Sequence, residues 1–253
     1  MNSRAAQVRA PLWAGLAVLV GLCWLWLQQM NAGMPEMAGD MPMAMPHRPL
    51  ALEVLFATVM WSVMMVAMMV PTALRAIATF ASLAARRDAS RNVPAAVAVF
   101  VGGYGAAWMG YSVLAASLQV VLARTALLTP MLQSASVWLS AAILLAAGMF
   151  QFTALKDRCL AKCRTPLAFF LAEWRDGTSG ALRLGLRHGG YCVVCCWALM
   201  AVLFVAGAMN LLWMAVLTLV LLVEKLAPPK WRISTLSGVA LIGWGVWLIG
   251  AAV

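Results

Sequence analysis

Histidine is nearly absent from this chain: His47 and His188 are the only two in 253 residues. Acidic side chains are scarce as well, eight in all, and charged residues together make up only 10%. Soluble domains carry about a quarter charged residues, so an ordinary soluble catalytic domain is excluded. No Ser/His/Asp set, P-loop, paired-carboxylate pattern or dinucleotide glycine fingerprint occurs. With two histidines and no carboxylate expected in the core, hydrolysis and proton-driven transport lack obvious machinery, and an enzyme is not the expectation. The net charge of +10 does not signal nucleic acid, because in an apolar chain basic residues first report topology.

What the chain does have is apolar sequence: 64% of its residues are hydrophobic and the mean hydropathy is +0.91. The expected fold is all-α, a polytopic transmembrane bundle of about seven spans. Residues 1–30 hold the first, around Leu12 to Gln28, read as an uncleaved transmembrane helix in preference to a signal peptide. Residues 31–49 are an outer linker broken by Gly33, Pro35, Gly39, Pro42, Pro46 and Pro49. Residues 50–253 form a six-helix membrane core. Its spans are expected at about Leu50–Val70 with a helical tail, Pro94–Ala123, Ser134–Leu155, Cys192–Ala208, Leu211–Val223 and Ser234–Ala251. A polar loop, 156–191, separates the third and fourth of these, with Pro166 to Trp174 as a short interfacial helix. With the N-terminus inside and the C-terminus outside, 16 of the 18 basic residues fall on the cytoplasmic side, and only Arg48 and Arg124 lie outside.

Eleven of the eighteen methionines fall between Met30 and Met69. The linker carries Met34, Met37, Met41, Met43 and Met45, and ends at His47. Thioethers are soft, uncharged ligands that select Cu(I) over harder ions, and Met-x-Met spacing in an extended loop lets several reach one ion. The same side chains could equally be adaptable apolar filler. In the following span Met60, Met64 and Met68 recur every four residues and form one stripe, with Met65 and Met69 beside it. That stripe reads as helix packing or as a soft-ligand route.

The cysteines are sharper. Cys159 and Cys163 share a helix face, and Cys192, Cys195 and Cys196 form C-x-x-C-C at the expected start of a span. His188 lies four residues before Cys192 and joins that face if the helix starts early. One polar loop separates the two groups, so they can converge on a single cytoplasmic-side site for Cu(I) or Zn(II). Arg158, Lys162 and Arg187 are the cations expected to favour the thiolates. Cys23 is read as packing. Glu53 and the pair Glu224-Lys225 are read as solvated span ends, and Gln151 as a hydrogen-bonding group between helices.

Four stretches carry a resemblance: Trp61-x-x-Met-Met-x-Ala-Met-Met-x-Pro71, Gln151-Phe-Thr-Ala-Leu-Lys156 with Cys159-x-x-x-Cys163, Cys192-x-x-Cys195-Cys196-Trp197, and Met209-Asn210-Leu-x-Trp213 with Glu224-Lys225. Together they resemble the signatures of a bacterial family of predicted metal-binding integral membrane proteins, itself without an assigned activity. Ala154 stands where that pattern has proline. The resemblance implies an inner-membrane location and a metal. The resulting expectation is Cu(I) capture by Met34, Met37, Met41, Met43, Met45 and His47. Passage would follow along Met60, Met64, Met65, Met68 and Met69. Acceptance would fall to Cys159, Cys163, Cys192, Cys195 and Cys196, with His188. Its partners would be the lipid bilayer, the metal ion and a soluble or membrane protein, with no nucleic acid. The alternatives are a membrane scaffold stapled by Zn(II) on cysteines, or a membrane thiol oxidoreductase.

Overall fold

The computed structural model describes residues 3–40, 49–87, 92–129 and 132–252, with side chains described from residue 13 to 32 in the first of these segments. Among the described residues the regular structure is helical, apart from one isolated bridge between Leu128 and Ser134 and a single 3-10 turn. The helices are α1 Ser3–Asp40, α2 Leu50–Arg87, α3 Val93–Arg124, α4 Val137–Phe150, α5 Ala154–Arg164, α6 Pro166–Glu173, α7 Gly177–Ala201, α8 Leu203–Ala206, α9 Leu211–Leu226 and α10 Ile233–Ala252. Helices satisfy every backbone group inside one segment, which is why chains this apolar adopt them. Polar residues mark the starts. The side chains of Asn92, Ser136, Thr153 and Asn210 each accept from backbone N–H groups two or three residues on.

Five helical stretches are long and apolar enough to cross a membrane, and a sixth arises if α4 and α5 count as one span broken by a 66° bend. The remaining expected span, about Leu211–Val223, is α9, whose sixteen residues fall short of the ~20 a bilayer requires. Helix α2 continues through Pro71 to Arg87, so the expected helical tail is present. Two other boundaries differ from expectation. Helix α1 runs on through Asp40, so the first part of the expected linker is helical. Helix α7 begins fifteen residues before Cys192, at Gly177, whose φ of +83° is a conformation glycine tolerates. Its early part looked polar, but the polarity is one-sided. Ala181, Leu184, Gly185, His188, Gly189 and Cys192 are buried along one face, while Arg183 and Arg187 stay exposed on the other.

Helix α3 packs along α7 at a backbone-to-backbone distance that only glycine allows. A Cβ on Gly185 would overlap the carbonyl of Phe100, and one on Gly103 would sit 2.5 Å from the carbonyl of Leu182. Gly102 and Gly105 face open space, so of the Gly102-Gly103-Tyr-Gly105 cluster only Gly103 makes the contact. The consequence for the site is positional. Close approach brings Tyr104, between those glycines, against Cys192. Helix α6 does not simply lie on a surface: Phe169 and Phe170 are buried and meet Phe80, Phe100, Tyr191 and His188.

Candidate metal centre

Helix α7 places Cys192, Cys195 and Cys196 on its buried side because the spacings of three and four residues fall within one turn. Cys163 arrives from α5, which the bend after Phe150 turns back towards α7. Thr153 caps α5, and Ala154 is its first residue, the position where proline is also well tolerated. The sulfurs of Cys163, Cys192 and Cys195 all lie within 4.8 Å of one another. Cys163 Sγ stands 4.0 Å from Cys195 Sγ, and Cys195 Sγ stands 3.3 Å from Cys196 Sγ. Cys163 is 7% exposed and the three cysteines of α7 1% each. The two cysteine groups therefore converge, but deep inside α7 and not at its start.

Among the described residues, the cation that attends the three-sulfur group is Lys225. Its Nζ donates to Cys192 Sγ at 3.1 Å and to Thr72 Oγ1 at 2.7 Å. Tyr104 Oη lies 3.2 Å from the same sulfur and donates to the Met69 carbonyl at 3.3 Å. An ammonium buried to this degree needs an anion beside it, and the thiolate of Cys192 is the anion on offer. Of the cations expected near the thiols, Lys162 is in electrostatic reach of Cys159 while standing 4.7 Å from the Tyr191 ring, and Arg187 pairs instead with Glu173 at 3.0 Å. Arg158 is exposed.

The reading of Glu224 and Lys225 as solvated ends is overturned, since they are 1% and 3% exposed. Glu224 forms an ion pair with Lys156 at 2.9 Å, and Lys156 is fully buried. Gln151 Oε1 also accepts from Lys156 Nζ, and Ser237 donates to Glu224 Oε1 at 3.1 Å. So the core does contain a carboxylate. Arg164 Nε donates to the Glu224 carbonyl oxygen at 2.7 Å. One residue of α9 therefore grips α5 near both ends, and Cys163 sits on the piece that it grips. The sequence offered a signal here, because ionisable residues inside apolar spans are functional candidates by default.

The other expected ligands distribute as follows. Cys159 is buried one turn before Cys163 but outside the group of three sulfurs. His188 does share the α7 face, yet it sits among the rings of Phe100, Tyr104, Phe169 and Phe170 at 5.7–6.2 Å and does not join the sulfurs. Met60, Met64, Met65, Met68 and Met69 are all buried in the core of α2. Trp61 closes one end of this stripe, donating to Gln119 Oε1 at 2.7 Å and packing on Phe204. The other end reaches the sulfurs through Met69, Tyr104 and Cys192. Met41, Met43, Met45 and His47 lie outside the described residues, as do the side chains of Met34 and Met37. Cys23 is half-buried in α1, away from the sulfur group.

Three thiols with no carboxylate or imidazole among them make a soft-donor set suited to Cu(I) or Zn(II). A closed zinc site takes four ligands, and Cys196, the fourth sulfur in reach, is adjacent in sequence to Cys195. A family model described as PpoB2, copper chaperone, matches residues 58–248. The match starts just before the methionine stripe and ends in α10, so it covers the stripe, the four converging cysteines and Lys225, and leaves out α1 and the methionines of residues 34–45. No curated protein and no solved structure matches the chain.

Proposed function

The chain belongs to the PpoB2 copper chaperone family, and on that premise we propose that it is an inner-membrane protein that takes Cu(I) from the outer face and holds it on Cys163, Cys192 and Cys195. The observation that carries this reading is the convergence of those three buried thiols from two helices. Cu(I) is the copper state that thiolates and thioethers stabilise. The metal is cargo, handed on to a soluble or membrane partner.

The route begins outside, where Met34, Met37, Met41, Met43, Met45 and His47 gather the ion. A cavity of about 400 Å³ between Asn31 of α1 and the start of α9, lined also by Gln133, Met209 and Asn210, supports an opening at that end. From there the ion follows Met60, Met64, Met65, Met68 and Met69 inward. Cys159 and Cys196 flank the acceptor site, and His188 shapes it from the aromatic side. In this reading α9 completes seven crossings, with the N-terminus cytoplasmic and the C-terminus outside. Arg87, Lys162, Arg164 and Arg187 lie towards the same end of the bundle as α5 and α6, in keeping with that orientation.

The second reading, a scaffold stapled by Zn(II), draws support from the fourth sulfur, Cys196, 3.3 Å from Cys195. Transfer measurements separate the two. Leucine and methionine have similar volumes, so Met→Leu swaps keep packing and remove the sulfur. The double variant Met64→Leu/Met68→Leu in bilayer discs is expected to fold, to bind Cu(I) at the cysteines at equilibrium, and to load them several-fold more slowly than the wild type. Loading at the wild-type rate would remove the stripe from the route. Stoichiometric zinc with no copper uptake would favour the scaffold.

A further inference from the structure

The three-sulfur site and the methionine stripe lie on different helices, α7 and α2, and two bridges set their relative register. At one level Trp61 of α2 packs on Phe204, just beyond α7, with ring centroids 5.2 Å apart. At the other, Tyr104 links the Met69 carbonyl to Cys192 Sγ. The two helices run in opposite directions between these bridges. Within that interval α2 contributes Met64, Met65 and Met68, and α7 contributes Cys195, Cys196, Leu199 and Met200, all 2% exposed or less. Cys196 and Met200 are four residues apart, one above the other on α7. Tyr111 ties this row to the level of Trp61. Its ring lies 6.3 Å from that of Trp61, and its hydroxyl donates to the Trp197 carbonyl at 3.4 Å, next in sequence to Cys196.

From this placement we infer that Cys196 and Met200 form a second soft-metal site, lying between the thioethers of α2 and the three-sulfur site. Cys196 does not belong to the group of three, yet its sulfur is 3.3 Å from that of Cys195. A soft ion passes between sites by exchanging one ligand at a time, so neighbouring sites must have sulfurs in reach of each other. A thiolate paired with a thioether holds Cu(I) more tightly than thioethers alone and less tightly than several thiolates. The affinity therefore rises along the sequence thioethers, Cys196 with Met200, then Cys163, Cys192 and Cys195. Met200 is the residue that makes this intermediate step, and its burial in a row with Cys196 gives it no aqueous role.

The inference rests on the copper reading above, and the test separates the two. Purified full-length protein in bilayer discs is titrated with Cu(I) against a chromophoric chelator, and bound copper is counted by elemental analysis. With the chelator strong enough to strip sites built on thioethers without a thiolate, the wild type is expected to hold two ions per chain, Met200→Leu one, and Cys196→Ser one, with melting temperatures close to the wild type. Cys163→Ser is expected to lose the tighter ion and keep the weaker. A wild type that binds no Cu(I) overturns the copper reading and the second site together. A wild type that binds Cu(I) with a stoichiometry and affinity unchanged in Met200→Leu overturns the second site alone. Should Met200→Leu fail to fold, Met200→Ile serves as the second sulfur-free variant, with the same two outcomes.

Discussion

Cys192→Ser is expected to cost the protein its tight Cu(I) site. Cys163→Ser and Cys195→Ser should do the same, each lowering affinity by about a hundredfold or more, because even groups one step removed from a metal's ligands are worth ~10–100-fold. The expected order follows from the geometry. Cys192 should matter most, since its sulfur belongs to the group of three and also faces the ammonium of Lys225 at 3.1 Å. Its loss leaves a buried cation without an anion, so Cys192→Ser should lower the melting temperature as well. Cys159→Ser should have a smaller effect on affinity, because Cys159 is buried outside the group. Cys23→Ser, on α1, should leave binding unchanged. Competition titrations on the purified chain measure all five. Equal affinities across the series would detach copper from these cysteines.

The second large effect is expected from the ion pair that holds α5. Glu224→Gln or Lys156→Met removes one partner of a pair that is at most 1% exposed. Breaking a buried pair from one side costs ~3–5 kcal/mol, whereas replacing both partners by apolar residues is often close to neutral. The double variant Lys156→Met/Glu224→Met should therefore be more stable than either single variant, as read by unfolding in detergent. Copper binding should fall with the singles. Cys163 owes its place to α5, and α5 is gripped by Glu224 through Lys156 at one end and Arg164 at the other. Singles that melt like the wild type would show that water reaches this pair.

How much of this was readable in the sequence depends on what kind of signal each feature leaves. The helices were readable because apolar runs must satisfy their own backbone. The two cysteine groups were readable as partners because only one polar segment separates them. What misled was polarity that is one-sided or paired. The start of α7 reads as loop in sequence because Arg183, Arg187 and His188 dilute its hydropathy, although both arginines are on the exposed face. Glu224 and Lys225 read as solvated because they end an apolar run. Each instead turns inward to a partner, Lys156 for one and Cys192 with Thr72 for the other. No sequence period announces a pair formed between residues 68 positions apart. His188 illustrates the converse. Its spacing from Cys192 was that of a ligand, but the rings from α3 and α6 enclose it. Only tertiary packing decides between those environments.

The proposed copper site is tested most directly by X-ray absorption at the copper edge on the wild-type protein loaded with Cu(I). The expected result is a Cu(I) edge with sulfur as the nearest neighbour and no nitrogen or oxygen ligand, and a Cys192→Ser protein that loads fewer ions per chain and loses the tight-site share of that signal. Copper with nitrogen or oxygen neighbours, or a wild type that emerges from loading without copper, would contradict it.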